Sequence, residues 1–184
     1  GNMKDRGALY VGLMMILFGG LFLLIQLSGS LLVPLGIWLG WGELWPFIIL
    51  LAGLAFWLPI FVWWDRRASV AGLAIPGTII MVNGLILLYQ NLTGDWASWS
   101  YLWSFEPLSV GLGLLALYAL GDRDKGLLVA SAIVGGIGLV FFIIFASAFG
   151  GLIRILGPVA LILIGILFLV RGARERVAEE IPEE

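Results

Sequence analysis

Charged residues in this chain fall in short clusters, and long apolar runs separate them. Six runs approach the roughly 20 residues that a helix rising 1.5 Å per residue needs to cross a hydrocarbon core about 30 Å thick. They occupy residues 9–29, 44–64, 70–90, 107–121, 127–150 and 152–170. The fourth is short, and its helix is expected to begin upstream near Tyr101, with Glu106 in its first turn. Unpaired backbone amides and carbonyls are intolerable in lipid, so each run is expected to be an α-helix; a membrane barrel would need period-two alternation, which these runs lack.

The turns between the runs test that count, because alternate turns of a six-span chain face the same side and basic residues collect on the cytoplasmic one. Lys4 and Arg6 precede the first run, Arg66 and Arg67 follow the second, Arg123 and Lys125 the fourth, and Arg171, Arg174 and Arg176 the sixth. All of these fall on one side, and Arg154 alone falls on the other. The expectation is an all-α integral membrane protein of six transmembrane helices, both termini cytoplasmic, in the cytoplasmic (inner) membrane. Residues 1–184 form a single transmembrane domain, with 175–184 a short cytoplasmic tail.

Composition agrees with that reading. Only 12% of residues are charged, against about 25% in soluble domains, and the mean hydropathy is +1.09. Cysteine and histidine are both absent, which removes thiolate and imidazole metal sites, disulfides and Cys or His nucleophiles. No catalytic constellation, cofactor motif or metal-ligand spacing is found, so the protein reads as a non-enzyme without a cofactor. The basic residues form no stripe, which argues against a nucleic-acid partner.

Aromatic residues mark the ends of the runs. Trp38 and Trp41 precede the second and Trp45 stands at its start, and Trp96, Trp99 and Trp103 precede the fourth. Indole favours the headgroup layer, where the ring is buried and its N–H stays wet. These six form an aromatic belt and are the candidate lipid-facing or interface residues. Trp63 and Trp64, just before Asp65-Arg66-Arg67, form the matching belt at the other end. The connecting stretch 28–44 is apolar yet too short for a separate span, and is expected to lie at the interface or to re-enter.

Polar side chains inside the runs are few. Asn83 lies near the middle of the third, where it is expected to bond a neighbouring helix, and Gln26 and Gln90 lie toward the tryptophan-bearing ends. Arg154 is a candidate ion-pair partner for Glu43, Asp95 or Glu106, all assigned to the same side. Asn91-Leu92-Thr93 matches a glycosylation acceptor, read here as a chance match. Glycines three, four or seven apart, as in "GLMMILFGG" and "IVGGIG", allow helices to approach closely within the chain, in self-association or against a membrane-protein partner.

The odd-numbered runs end in related phrases, "GLFLLIQLSG", "GLILLYQNLTG" and "GLVFFIIFASAFG", and the even-numbered ones open on a proline: Pro46, Pro107 and Pro158. The chain therefore reads as three tandem helical hairpins, 8–67, 70–123 and 127–174, in parallel orientation. The pattern carried by Gly12, Gly19, Gly20, Trp41, Trp45, Pro46 and Gly53, and again by Gly77, Gly84, Trp99, Trp103, Pro107 and Gly113, resembles the LiaI/LiaF-like transmembrane region of bacterial envelope-stress proteins. Residues 8–66 and 72–123 look like two copies and 127–174 like a diverged third. The resemblance implies a non-enzymatic scaffold or modulator: LiaF-like members restrain a sensor kinase, and LiaI-like members anchor a phage-shock-type protein at the membrane. The chain departs from LiaF-like members after Val170, where only "RGARERVAEEIPEE" stands in place of a soluble domain. Two further classes stay open on the residues alone: a structural accessory subunit of a larger membrane complex, and a small carrier or lipid-handling protein built around Asn83.

Overall fold

A computed structural model describes residues 3–31, 33–36, 40–150 and 162–167. All regular structure among them is helical. The elements are α1 (Met3–Leu31), α2 (Trp41–Leu44), α3 (Pro46–Val62), α4 (Arg67–Val70), α5 (Ala74–Thr93), α6 (Trp99–Leu102), α7 (Phe105–Leu120) and α8 (Lys125–Phe149), with single 3-10 turns at Val33–Leu35, Trp64–Arg66, Ala71–Leu73 and Trp96–Ser98. Among the described residues, four helical stretches are long and apolar enough to cross a membrane: Asp5–Leu31, Trp41–Val62, Trp64–Thr93 and Lys125–Phe149. A fifth is met if α7 is taken with the segment Trp96–Leu102 before it, from which it is bent by 59°. The first five expected runs thus have helical counterparts. Most of the sixth, and the second half of the third hairpin with it, lies outside the described residues, as do Trp38 and Arg154.

The fourth run differs from expectation in shape. Its helix does not continue straight upstream toward Tyr101; it starts at Phe105, and Trp103 and Ser104 form the bend. Pro107 supplies the reason. A proline ring clashes with the carbonyl four residues before it, here that of Trp103, so a straight helix through the bend is disfavoured and Pro107 sits comfortably only in the first turn. The bend is held by the buried Ser104 hydroxyl, which donates to the Tyr101 carbonyl at 2.6 Å.

Other boundaries follow from local chemistry. Pro46 occupies the first position of α3, where no amide partner is needed. Gly94 ends α5 in the left-handed conformation at φ 72°, and its N–H reaches the Gln90 carbonyl at 2.8 Å. Asp124 caps α8 by accepting from the Gly126 amide at 2.8 Å.

The long helices lie side by side in chain order, α1 on α3, α3 on α5, α5 on α7 and α7 on α8. Glycines make the seams. A methyl group at Gly53 would stand 2.4 Å from the Met81 side chain, one at Gly84 2.8 Å from Leu50, and one at Gly113 2.9 Å from the Ile75 backbone. Backbone meets backbone most closely at the α7–α8 seam: a Cβ on Gly111 would lie 2.5 Å from the Gly135 Cα, and one on Gly138 2.5 Å from the Leu108 amide nitrogen. Close backbone approach of this kind gives van der Waals contact that lipid chains cannot match. On the far side of α8, Val129, Ile133, Ile137, Val140 and Ile144 make an exposed aliphatic stripe at helical spacing.

Candidate functional site

The row of helices has a charged end, with Arg6, Asp65–Arg67 and Asp122–Lys125, and a tryptophan end. The candidate residues concentrate at the latter. Trp45 donates through Nε1 to Asn91 Oδ1 at 3.2 Å, and Asn91 Nδ2 donates in turn to the carbonyls of Gly42 (2.7 Å) and Glu43 (2.9 Å). One side chain thereby satisfies the turn ahead of α3 and ties it to α5. Glu43 is engaged locally, accepting the Gly40 amide at 2.7 Å.

A second cluster joins α5 to the bent segment. Gln90 is buried, and its Nε2 donates to Ser98 Oγ at 3.2 Å; Ser98 donates to the Asp95 carbonyl at 2.6 Å. The Asp95 carboxylate accepts from the Tyr89 hydroxyl at 3.2 Å. Gln26, by contrast, is exposed on α1.

Asn83 and Glu106 are brought together, a pairing that the sequence reading does not contain. Asn83 Nδ2 donates to Glu106 Oε2 at 3.2 Å and to the Ile79 carbonyl at 3.0 Å. Asn83 precedes Asn91 by eight residues of α5, so the pair lies about 12 Å below the Trp45–Asn91 contact. Glu106 reaches that depth because α7 starts only after the bend. The three acidic candidates for an Arg154 partner are therefore held in three different local networks.

The tryptophans divide in two. Trp41, Trp96 and Trp99 are exposed, Trp41 with its ring 5.1 Å from Phe22. Trp45 and Trp103 are tied inward: the Trp103 N–H donates to the Ser100 carbonyl at 3.1 Å, and its ring meets Phe145 edge-on at 5.0 Å.

The most open surface belongs to α1. One face, carrying Tyr10, Leu17, Leu21 and Ile25, packs toward α3; Ile25 is buried, and the Tyr10 hydroxyl donates to the Ala55 carbonyl at 2.9 Å. The opposite face presents Gly12, Ile16, Gly19 and Leu23. A Cβ added at Gly12, Gly19 or Gly20 would meet nothing within 4 Å, and Ile16 is 71% exposed. Glycines that make seams elsewhere in the protein are here met by none of the described residues.

Two apolar depressions, of about 410 and 260 Å³, run into one another along α3, α5 and α7, sharing Val82 and Leu85. Thr78 lines the larger, and its buried hydroxyl has no hydrogen-bond partner. A third cavity of about 260 Å³ lies at the charged end, lined by Pro59, Trp63, Arg66, Ser69 and Val70. No group of three or more potential metal ligands occurs among the described residues. Comparison with protein-family models, with curated proteins and with solved structures found no match in any of the three.

Proposed function

We propose that this protein is a non-enzymatic scaffold or modulator of a membrane-embedded partner, LiaI/LiaF-like in kind, in the cytoplasmic membrane of a bacterium. It crosses the bilayer six times as three tandem hairpins with both termini cytoplasmic, an orientation supported by the one-sided distribution of the basic residues. The observation that carries the reading is the open glycine face of α1. Gly53, Gly84, Gly111 and Gly138 each bring a neighbouring helix within van der Waals reach, whereas Gly12, Gly19 and Gly20 offer the same close-approach surface with no helix of the described residues upon it. In an envelope-stress or signalling assembly, that face receives a transmembrane helix of the partner.

The test is recovery of the full chain from its native membrane in mild detergent, with mass spectrometry of what remains bound, alongside Gly12→Leu and Gly19→Leu. A membrane partner that is retained by the wild type and lost from both variants supports the proposal. Recovery of the same partners with the glycine face blocked refutes it. A partner held at fixed stoichiometry within a large complex would instead make the protein an accessory subunit of that complex.

A further inference from the structure

The tryptophan end carries a cavity that the scaffold reading does not use. It measures about 360 Å³ and lies between residues 95–101 and the end of α8, with Asp95, Ser98, Ser100, Tyr101, Phe149 and Gly150 in its lining. The Asp95 carboxylate accepts the Tyr89 hydroxyl through Oδ2 at 3.2 Å. A carboxylate offers about four acceptor positions, so this one neutral donor neither cancels the charge nor fills the acceptor sites. Among the described residues, every Lys and Arg lies at the start of α1, in the α3–α5 turn or in the α7–α8 turn, all at the charged end. The apolar wall of the cavity has a direction. Phe149 is 64% exposed and stacks on Phe145 at 6.3 Å, and Phe145 meets Phe141 edge-on at 6.3 Å. At four-residue spacing these rings share one face of α8, and an aromatic ridge runs from the cavity toward the middle of the helix.

We propose that this cavity takes the primary ammonium of a phosphatidylethanolamine headgroup, with the Asp95 carboxylate as its counter-charge and an acyl chain along the Phe149, Phe145 and Phe141 ridge. A primary ammonium has three N–H donors. Asp95 and the Ser100 hydroxyl supply oxygen acceptors for them, and Tyr101 and Phe149 add the aromatic surface that attracts a cation. A quaternary ammonium has no N–H and would use only the rings. A soluble primary amine shares the ammonium chemistry but would leave the ridge bare. The tryptophans set this end at headgroup level, and the ridge therefore favours the lipid.

The experiment is native mass spectrometry of the full chain after exchange with equal amounts of phosphatidylethanolamine and phosphatidylcholine in mixed micelles, two zwitterionic lipids whose headgroups differ in their N–H donors. Phosphatidylethanolamine is expected to be retained preferentially. Asp95→Asn, which keeps an acceptor oxygen for Tyr89, is expected to lower that preference about tenfold, the loss of one charge-assisted hydrogen bond. Glu43→Gln serves as the control: Glu43 is at the same end, but it accepts the Gly40 amide and is outside the cavity. Equal retention of both lipids, or an equal loss in Asp95→Asn and Glu43→Gln, overturns the proposal by reducing it to diffuse surface charge. Displacement of the lipid by ethanolamine in excess also overturns it, and reassigns the cavity to a soluble amine. Arg154 lies outside the described residues, and Arg154→Gln completes the set. A preference that emerges only in that variant overturns the proposal, because Asp95 would then have its cation within the chain. Wild-type elution on size exclusion confirms that each variant is folded before its lipids are counted.

Discussion

The Tyr10 hydroxyl donates to the Ala55 carbonyl at 2.9 Å, and Ala55 is the residue whose carbonyl Pro59 cannot serve. In an α-helix the amide of residue 59 would bond the carbonyl of residue 55, but proline has no N–H and its ring crowds that carbonyl. The acceptor opened within α3 by Pro59 is thus filled from α1. This gives the sparsely packed first helix a fixed register on the second, which the contact of the Tyr10 and Trp63 rings at 6.2 Å supports.

A double-mutant cycle measures that relationship. Tyr10→Phe removes the donor and is expected to destabilise the protein by about 1 kcal/mol. Made in a Pro59→Ala background, where the amide restored at that position can bond the Ala55 carbonyl, the same change is expected to cost little. Equal costs in both backgrounds, read from unfolding titrations in mixed micelles, would show that the hydroxyl contributes independently of the proline.

The α7–α8 seam is the least tolerant of added volume. Gly111→Ala would place its methyl carbon 2.5 Å from the Gly135 Cα and 2.6 Å from its nitrogen, atoms that cannot turn aside. Ser131 Oγ also donates to the Gly111 carbonyl at 2.7 Å across the same seam, so a helix pushed outward loses a hydrogen bond too. The expected cost is about 1–3 kcal/mol, the range for overpacked cores. Gly136→Ala, whose methyl would meet nothing within 4 Å, should change stability by less than about 0.5 kcal/mol. Parallel thermal scans of the two variants in one detergent check the contrast.

Arg6 and Asp65 tie the start of α1 to the turn after α3, and the Arg6 hydrogen bond holds the Asp65 carboxyl below the ordinary aspartate value of 3.8. A depressed folded pKa means that the contact's contribution is present above the unfolded value and is lost as pH falls through the folded one. The tie is therefore intact at neutral pH and releases only below about pH 4. A carboxyl ¹³C titration of Asp65 should show a midpoint under 3.8 that rises toward it in Arg6→Gln. An unchanged midpoint in that variant would remove Arg6 as the cause.

Much of this arrangement is legible in the residues, and the remainder fails for identifiable reasons. Runs free of charge locate α1, α3, α5 and α8, because helix is the structure that satisfies a backbone deprived of water. Pro46 marks the start of α3 for the same steric reason that Pro107 limits the start of α7. Pro59 is a signal the sequence reading passes over: a proline well inside an apolar run announces an orphaned carbonyl and hence a donor on some other helix, though not which one. Asn91 is hidden by the acceptor motif it heads, while its position at the end of a helix, able to reach the turn ahead of α3, comes only from the packing of α3 on α5. The pairing of Asn83 with Glu106 depends on relative depth. Their separation along the chain contains no measure of how far the bent segment lets α7 sink beside α5.

That pairing makes the last prediction. Asn83 donates to Glu106 Oε2 at 3.2 Å from a position nearly three helical turns below the end of α5, where competing water is scarce and a carboxyl without a donor is costly. Interhelical hydrogen bonds in membrane proteins contribute about 0.6 kcal/mol on average and up to about 1.7; a charged or strongly polar acceptor belongs toward the upper part of that range. Asn83→Leu is expected to cost about 1–2 kcal/mol, and Glu106→Gln, which preserves an acceptor oxygen, less than half as much. If the side chains act as a bonded pair, Glu106→Leu added to Asn83→Leu should cost less than the two single losses summed, since the second change removes a group already deprived of its donor. Strict additivity in a folding titration would mean that each residue is held by its own helix, Asn83 through its 3.0 Å bond to the Ile79 carbonyl. In that case the α5–α7 seam would rest on its glycine contacts.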